Sequence, residues 1–339
     1  MFQGDWIKLT FICLGLEGTA HTFGVGIVTS EGDILANEIS TYVPETGGIH
    51  PREAAQHHSC VASEVLQSAL LKARISSGDL DIIAFSQGPG LGPCLRTTAV
   101  VARALSTLFD IPLVGVNHCV AHIEIGRLLT GAKDPITLYV SGGNTIVSAF
   151  ADKRYRVFGE TIDIPIGNAL DMFGREAGLQ HPGGPKVEVL ARSGRKLVEL
   201  PYIVKGMDLS FSGLVTAAIR KLKEEKEQLE DVCFSLQEYA FSMLVEVTER
   251  AIAHTQKKEL LLTGGVAQNK RLQEMLQEVA NEQEAAFYTV PKEVAGDNGA
   301  KIAWTGILLY KYGKTIPVEK SLVDPKWRLD AVEIPWLME

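Results

Sequence analysis

Apolar positions fall into two stretches of the same design. Residues 9–40 read as a strand (LTFICLGL), a Gly/Thr turn (EGTAHT), a strand (FGVGIVTS), a tight turn (EGD) and a third strand (ILANEIS). Short apolar runs bounded by glycine and polar clusters are the signature of strands joined by hairpins. Residues 136–161 repeat the pattern as ITLYVS, GGNT, IVSAF, ADKR and YRVFGET. The copies share design rather than letters, which points to a duplicated, two-lobed architecture.

Between and after the copies the period changes. The stretch 54–73 carries apolar residues at helical spacing and leads to DIIAFS (81–86), a run suited to a parallel strand. A loop, QGPGLGP, then precedes a helix from about Arg96 to Phe109 and a strand, IPLVGVN. The second copy is followed by a Gly-rich loop region (178–184), a long helix over about 232–256, and LLLTGGVAQN, which joins a strand to a helix near Asn269. A last helix, 299–312, is expected to pack back on the first lobe. Strands alternating with helices around two hairpin cores make an α/β fold. The duplicated actin-like architecture of sugar kinases and ATPases fits best, with the active site in the interlobe cleft. The first lobe would be 9–132 with helix 299–312, and the second lobe 133–296.

A chain of 339 residues suits two domains, and 46% apolar with 22% charged residues excludes a disordered, collagenous or coiled-coil chain. The charge is 33 − 41 = −8, a sign that argues against unaided grip on nucleic acid. Cys13, Cys60, Cys94, Cys119 and Cys233 are odd in number and widely spaced, without C-x-x-C. They read as thiols in a reducing compartment, not as a disulfide framework. The early apolar run is far short of the ~20 residues of a membrane span and meets Glu17 at once, so it reads as a strand. A soluble, cytoplasmic protein is expected.

Five constellations carry candidate chemistry. His118 and His122 are four residues apart, which places both imidazoles on one helical face, where they could share a transition metal. A pair of helix-surface histidines is the competing reading, and the H-E-x-x-H protease signature is absent because position 119 is Cys. Tyr139-Val-Ser-Gly-Gly-Asn-Thr145 offers paired glycines that let backbone approach a ligand, or simply turn a hairpin. It is not a P-loop, and Ser141 lacks the context of a nucleophile elbow. HPGGPKVE (181–188) is a ligand wall or a rigid loop, with Asp171 one short helix upstream as a hydroxyl partner or an exposed carboxylate. LLLTGGVAQN is a strand-to-helix junction of the kind that receives a nucleotide. Asp297, directly before a helix, is either an N-cap or the carboxylate of a His-His-Asp metal set.

Together the phrases GLEGTAHT, TGGIHPREAAQHH, SQGPGLGPCLR, GVNHCVAHIEIGR, LYVSGGNT, PGGPKVEVLA, MDLSFSGL, LTGGVAQN and GDNGAKIA, collinear from Leu16 to Ala303, resemble the tRNA threonylcarbamoyladenosine transferase family. Its members were formerly called O-sialoglycoprotein endopeptidases. The variants resemble the archaeal and eukaryotic branch, the catalytic subunit of the KEOPS complex. The resemblance implies transfer of threonylcarbamoyl from threonylcarbamoyl-AMP to N6 of the adenosine 3′ of the anticodon in ANN-decoding tRNAs. It implies one divalent metal, iron by resemblance with zinc as the alternative, held by His118, His122 and Asp297, with Tyr139 as a fourth ligand. It also implies an adenine nucleotide, ATP or threonylcarbamoyl-AMP, lined by Tyr139, Val140, Ser141, Gly142, Gly143, Asp171, Gly184, Glu188 and Asn269. No general base is indicated. The implied partners are tRNA, a small atypical kinase subunit and a small dimerising subunit, with no membrane.

The sequence departs from the family pattern at Lys186, where an acidic residue is usual, and at Gly296, where a larger one is. Residues 1–8, MFQGDWIK, extend beyond the family's usual start, and no kinase domain is expected after the family domain. The rival readings are an actin-like ATPase or sugar kinase, which would need no imidazole pair, and a metallopeptidase, which would need no glycine loops. A non-catalytic scaffold is the weakest alternative. Helix 54–73, with His57, Ala62, Val65 and Ala69 at helical spacing, is a candidate dock for the dimerising subunit, with core packing as the competing use.

Overall fold

The computed structural model describes residues 10–44 and 48–338, so the extension MFQGDWIK and the start of the TGGIHPREAAQHH phrase lie outside the described residues. In chain order the first elements are β1 (Ile12–Glu17), β2 (Thr22–Thr29), β3 (Ile34–Thr41), α1 (Pro51–Ala73), β4 (Ile82–Gly88), α2 (Gly92–Phe109), β5 (Leu113–Asn117) and α3 (His118–Thr130). The second copy follows as β6 (Ile136–Val140), β7 (Thr145–Ala151) and β8 (Arg154–Glu160), then α4 (Ile166–Glu176) and α5 (Gly183–Ala191). Two short strands, β9 (Val204–Lys205) and β10 (Asp208–Leu209), precede α6 (Ser212–Lys223) and α7 (Leu229–Thr255). The chain continues through β11 (Glu259–Thr263), α8 (Lys270–Glu282), β12 (Ala286–Thr289), α9 (Lys292–Ala295) and α10 (Gly299–Lys311).

These elements sort into two compact units, one built from residues through Ile125 together with those from Asp297 onward, the other from Gly126–Gly296. The sheet of the first unit has the order β3-β2-β1-β4-β5, and that of the second β8-β7-β6-β11-β12. In each, three antiparallel strands are extended by two parallel ones. The duplicated α/β fold expected from the hydrophobic pattern is therefore present in topology as well as in element order.

Each sheet is covered by helices whose apolar stripes face it. Helix α1 buries Ala54, His58, Ala62, Val65 and Ala69, and Ala62, Val65 and Ala69 join the core of β1, β2 and β4. Those side chains are thus used in packing, not offered to a partner. On the other face, α10 packs against β1 and β2 at backbone distance. A Cβ on Gly26 would lie 2.1 Å from the amide nitrogen of Ala300, and one on Gly299 2.0 Å from that of Gly26. The two glycines are what lets the start of α10 meet the sheet. Four of the five cysteines are buried and all are free. Among the described residues no helix is long and apolar enough to cross a membrane.

Candidate metal and nucleotide residues

The turn from β5 into α3 sets the histidines. Asn117 Oδ1 accepts from the amides of Cys119 (3.0 Å) and Val120 (3.2 Å), so its side chain caps the helix that begins at His118. One turn separates His118 from His122, and their rings meet edge to face with centroids 4.8 Å apart. Helix α10 supplies the third group. Its N-cap is Asn298, whose side chain accepts from the Lys301 amide at 3.1 Å. Asp297 therefore stands one residue outside the cap, which removes the capping reading and leaves its carboxylate for the imidazoles. Asp297 Oδ1 lies 3.2 Å from His122 Nε2 and 3.4 Å from His118 Nε2. One donor atom from each of the three residues falls within 4.8 Å of the others, a candidate metal site made of the expected residues.

Two further side chains complete the cluster, and the sequence reading had given neither a role. Glu17, fully buried at the end of β1, accepts from the Thr19 amide (2.8 Å) and faces His118 Nδ1 at 2.9 Å. A carboxylate on Nδ1 holds the proton there and leaves Nε2 to face Asp297. Lys301, also fully buried, places Nζ 2.6 Å from His122 Nε2, 2.8 Å from Asp297 Oδ1 and 3.8 Å from Glu17 Oε2. An ammonium only donates, so His122 Nε2 is the acceptor and its proton sits on Nδ1. Burial, then the Lys301 charge, pushes the His122 imidazole down to about 3. Burial would raise the Asp297 carboxyl, but the Lys301 and His118 charges outweigh it and hold the group well below the usual carboxylate range. Glu17 is likewise held low against burial, by His118 first and Lys301 second. Burial pushes the Cys119 thiol up to about 12, so it stays protonated.

The signals for both residues were in the sequence. Glu17 interrupts an apolar run just before a turn. Lys301 is the one charged residue in the first two turns of an otherwise apolar α10, four residues after Asp297. The donor types and the two separations to Asp297, 3.2 and 3.4 Å, suit a divalent ion, since bonds of ~2.0–2.1 Å to nitrogen in a tetrahedral site give edges of ~3.3 Å. Yet His122 Nε2 has a single lone pair, and Lys301 already uses it. As arranged, the residues do not fit a bound ion.

The residues expected at the nucleotide all belong to the other unit. Tyr139, at the end of β6, is fully buried, and its hydroxyl accepts from Ser141 Oγ (3.4 Å) and Asn144 Nδ2 (3.3 Å). Ser141 Oγ in turn accepts from the amides of Gly143 and Asn144, and the loop runs on from Val140 into β7. Gly142 and Gly143 meet no atom of the described residues within 4 Å of a built Cβ, and neither lies in the left-handed region. Within the protein, neither packing nor backbone conformation requires glycine at these two positions, whereas a Cβ on Gly183 would lie 2.8 Å from the Leu170 carbonyl oxygen. Asp171 Oδ1 accepts from the amides of Gly183 (2.6 Å) and Gly184 (3.4 Å) and so anchors the start of α5, which the sequence had suggested was loop. Asn269 is the N-cap of α8, accepting from the amides of Arg271 and Leu272 and donating to Gln237. Glu188 pairs with Arg192 at 3.0 Å and accepts from the Lys270 amide, on the wall of a cavity of about 280 Å³ shared with Gln237 and Arg271. Lys186 is exposed.

Residues 33–304 match the model of the tRNA N6-adenosine threonylcarbamoyltransferase family, TsaD. The protein of that name from Methanocella arvoryzae is 59% identical over 96% of this chain and 98% of its own, and that from Archaeoglobus fulgidus 57% identical over 96% and 99%. A "probable bifunctional tRNA threonylcarbamoyladenosine biosynthesis protein" from Methanocaldococcus jannaschii is 57% identical over 97% of this chain, and the chain spans 61% of its length. Among solved structures, HypF from T. kodakarensis is similar over 91% of this chain and 50% of its own, with TM-score 0.63 and 16% identity. The Acidaminococcus fermentans (R)-2-hydroxyglutaryl-CoA dehydratase component A is similar over 90% and 100%, with TM-score 0.56 and 12% identity. These likenesses show the actin-like ATPase fold.

Proposed function

Since the chain belongs to the tRNA N6-adenosine threonylcarbamoyltransferase family, we propose that it transfers the threonylcarbamoyl group from threonylcarbamoyl-AMP to N6 of the adenosine 3′ of the anticodon in ANN-decoding tRNAs. The N6 lone pair attacks the carbamoyl carbon, a C–N bond forms, the C–O bond to AMP breaks, and AMP leaves with the electron pair while N6 gives up one proton. An aryl amine is a weak nucleophile, so the reaction depends on holding the electrophile and stabilising the departing phosphate charge.

The observation that carries this reading is the buried cluster in which Glu17 orients His118 and the Asp297 carboxylate lies within 3.4 Å of the Nε2 atom of each imidazole. A sugar kinase has no use for such a pair. The open surroundings of Gly142 and Gly143 support approach of the adenylate to that backbone. Asp171 and Asn269 support it by anchoring α5 and α8, which carry Gly184 and border Glu188. The iron or zinc implied by resemblance would compete with Lys301 for His122 Nε2 and Asp297 Oδ1. With a charge of −8, the chain would work in the cytoplasm as the catalytic subunit of a KEOPS-type complex whose kinase-like and dimerising subunits add tRNA-binding surface.

The test uses purified chain, partner subunits, tRNA and threonylcarbamoyl-AMP. His118→Ala with His122→Ala should lower the transfer rate at least ~100-fold while nucleotide affinity is retained. Transfer at the wild-type rate by the folded double variant would contradict the role given to the cluster.

A further inference from the structure

The His118–His122–Asp297 cluster already contains a cation. Lys301 Nζ lies within hydrogen-bond distance of two of the three donor atoms, His122 Nε2 at 2.6 Å and Asp297 Oδ1 at 2.8 Å. The residue is 0% exposed. We propose that the Lys301 ammonium takes the position of a divalent ion in this cluster, as an internal cation that fixes His122 and Asp297 and keeps the metal affinity of the site low.

Three observations carry the inference. His122 Nε2 has one lone pair, so hydrogen bonding to the ammonium and coordination to a metal exclude one another. Lys301 sits in the first turn of α10, where the helix dipole disfavours a cation and burial disfavours any charge. Such a placement is sustained by specific anions, and Asp297 and Glu17 are both there, the latter at 3.8 Å. Lastly, Asp297 and Lys301 are four residues apart across the cap of one helix, so the carboxylate and the ammonium are set by the same turn of backbone. Lys301 is a positioning residue in this account, since it acts through His122 and Asp297.

The inference concerns the cluster assigned above to the transferase reaction. Its test reads metal content, so failure of either leaves the other standing. The full chain is prepared from medium containing iron and zinc, and bound metal is measured by mass spectrometry. Wild type should carry well under ~0.1 equivalent, and Lys301→Met, which keeps the length and removes the charge, should carry close to ~1. Adding His118→Ala to Lys301→Met should return the value to that of wild type. Cobalt titration should show Lys301→Met binding at least ~10-fold tighter than wild type. One equivalent in wild type that disappears in His118→Ala would overturn the proposal, and that measurement stands even if Lys301→Met does not fold. Absence of metal from both wild type and a folded Lys301→Met would overturn it as well.

Discussion

His58 illustrates how a single buried side chain ties stability to pH. It is fully buried on α1, its ring 5.6 Å from that of Phe23, and burial followed by the neighbouring His57 pushes its imidazole down to about 4. An unfolded histidine titrates near 6.5, so as pH falls below ~6.5 the unfolded chain takes up a proton that the folded chain refuses. The stability contributed by neutral His58 is therefore present above ~6.5 and is lost as pH falls toward 4, at ~1.4 kcal/mol for each unit of separation at most. Denaturant titrations from pH 7 to pH 4.5 should show a shallower loss in His58→Phe than in wild type. Equal slopes would remove His58 from this account. At this scale the sequence reading left out the charge partners Glu17 and Lys301. The imidazole pair was raised by its spacing, Asp297 by its place before a helix and by the family resemblance, and the structure brings the three together. Lys301 was not, because a lone lysine on an apolar helix ordinarily extends to solvent, and only the packing of α10 on β1 and β2 closes that route. Asn298 holds the cap that was one of the two readings for Asp297, a one-residue difference that spacing alone does not resolve.

At the scale of elements, the contact of α10 with the first sheet is limited by backbone. Gly299→Ala would press a methyl to 2.0 Å from the amide nitrogen of Gly26, where neither chain can yield alone. Overpacking of this kind costs ~1–3 kcal/mol or more, and the loss should appear in chemical denaturation as a lower midpoint. Gly142→Ala is the matching control, because its new methyl meets no described atom within 4 Å. It should leave stability within ~0.5 kcal/mol of wild type, and Gly143→Val should weaken adenine-nucleotide binding at least ~10-fold by calorimetry. Unchanged nucleotide affinity in folded Gly143→Val would mean that the loop is a turn and nothing more. The hairpin strands, β4, β5, β11 and the long helices were legible from period and turn residues, with ends off by only a few residues, as for α7, which begins at Leu229 where the pattern suggested about 232. Strands β9, β10 and β12 were not read. Helix α5 was not legible. Pro182, Gly183, Gly184 and Pro185 favour turns locally, and the helix starts there because Asp171 receives the amides of both glycines.

For the whole molecule, the duplication was the most legible property, since both copies keep the order of three antiparallel strands extended by two parallel ones. Hydrophobic period survives divergence of letters because each strand still has to bury the same faces. Charge speaks at this scale too. A net charge of −8 leaves few phosphate contacts, so added salt should weaken tRNA binding by the lone chain with a shallow slope, and partner subunits should steepen it. The central claim, threonylcarbamoyl transfer to adenosine, is tested most directly by the product. Wild-type chain, its partner subunits, threonylcarbamoyl-AMP and an ANN-decoding tRNA are incubated without ATP, and the digested nucleosides are weighed by mass spectrometry. The account predicts N6-threonylcarbamoyladenosine at the position 3′ of the anticodon, formed over many turnovers and absent when that adenosine is replaced by guanosine. Consumption of threonylcarbamoyl-AMP with the tRNA left unmodified would contradict it.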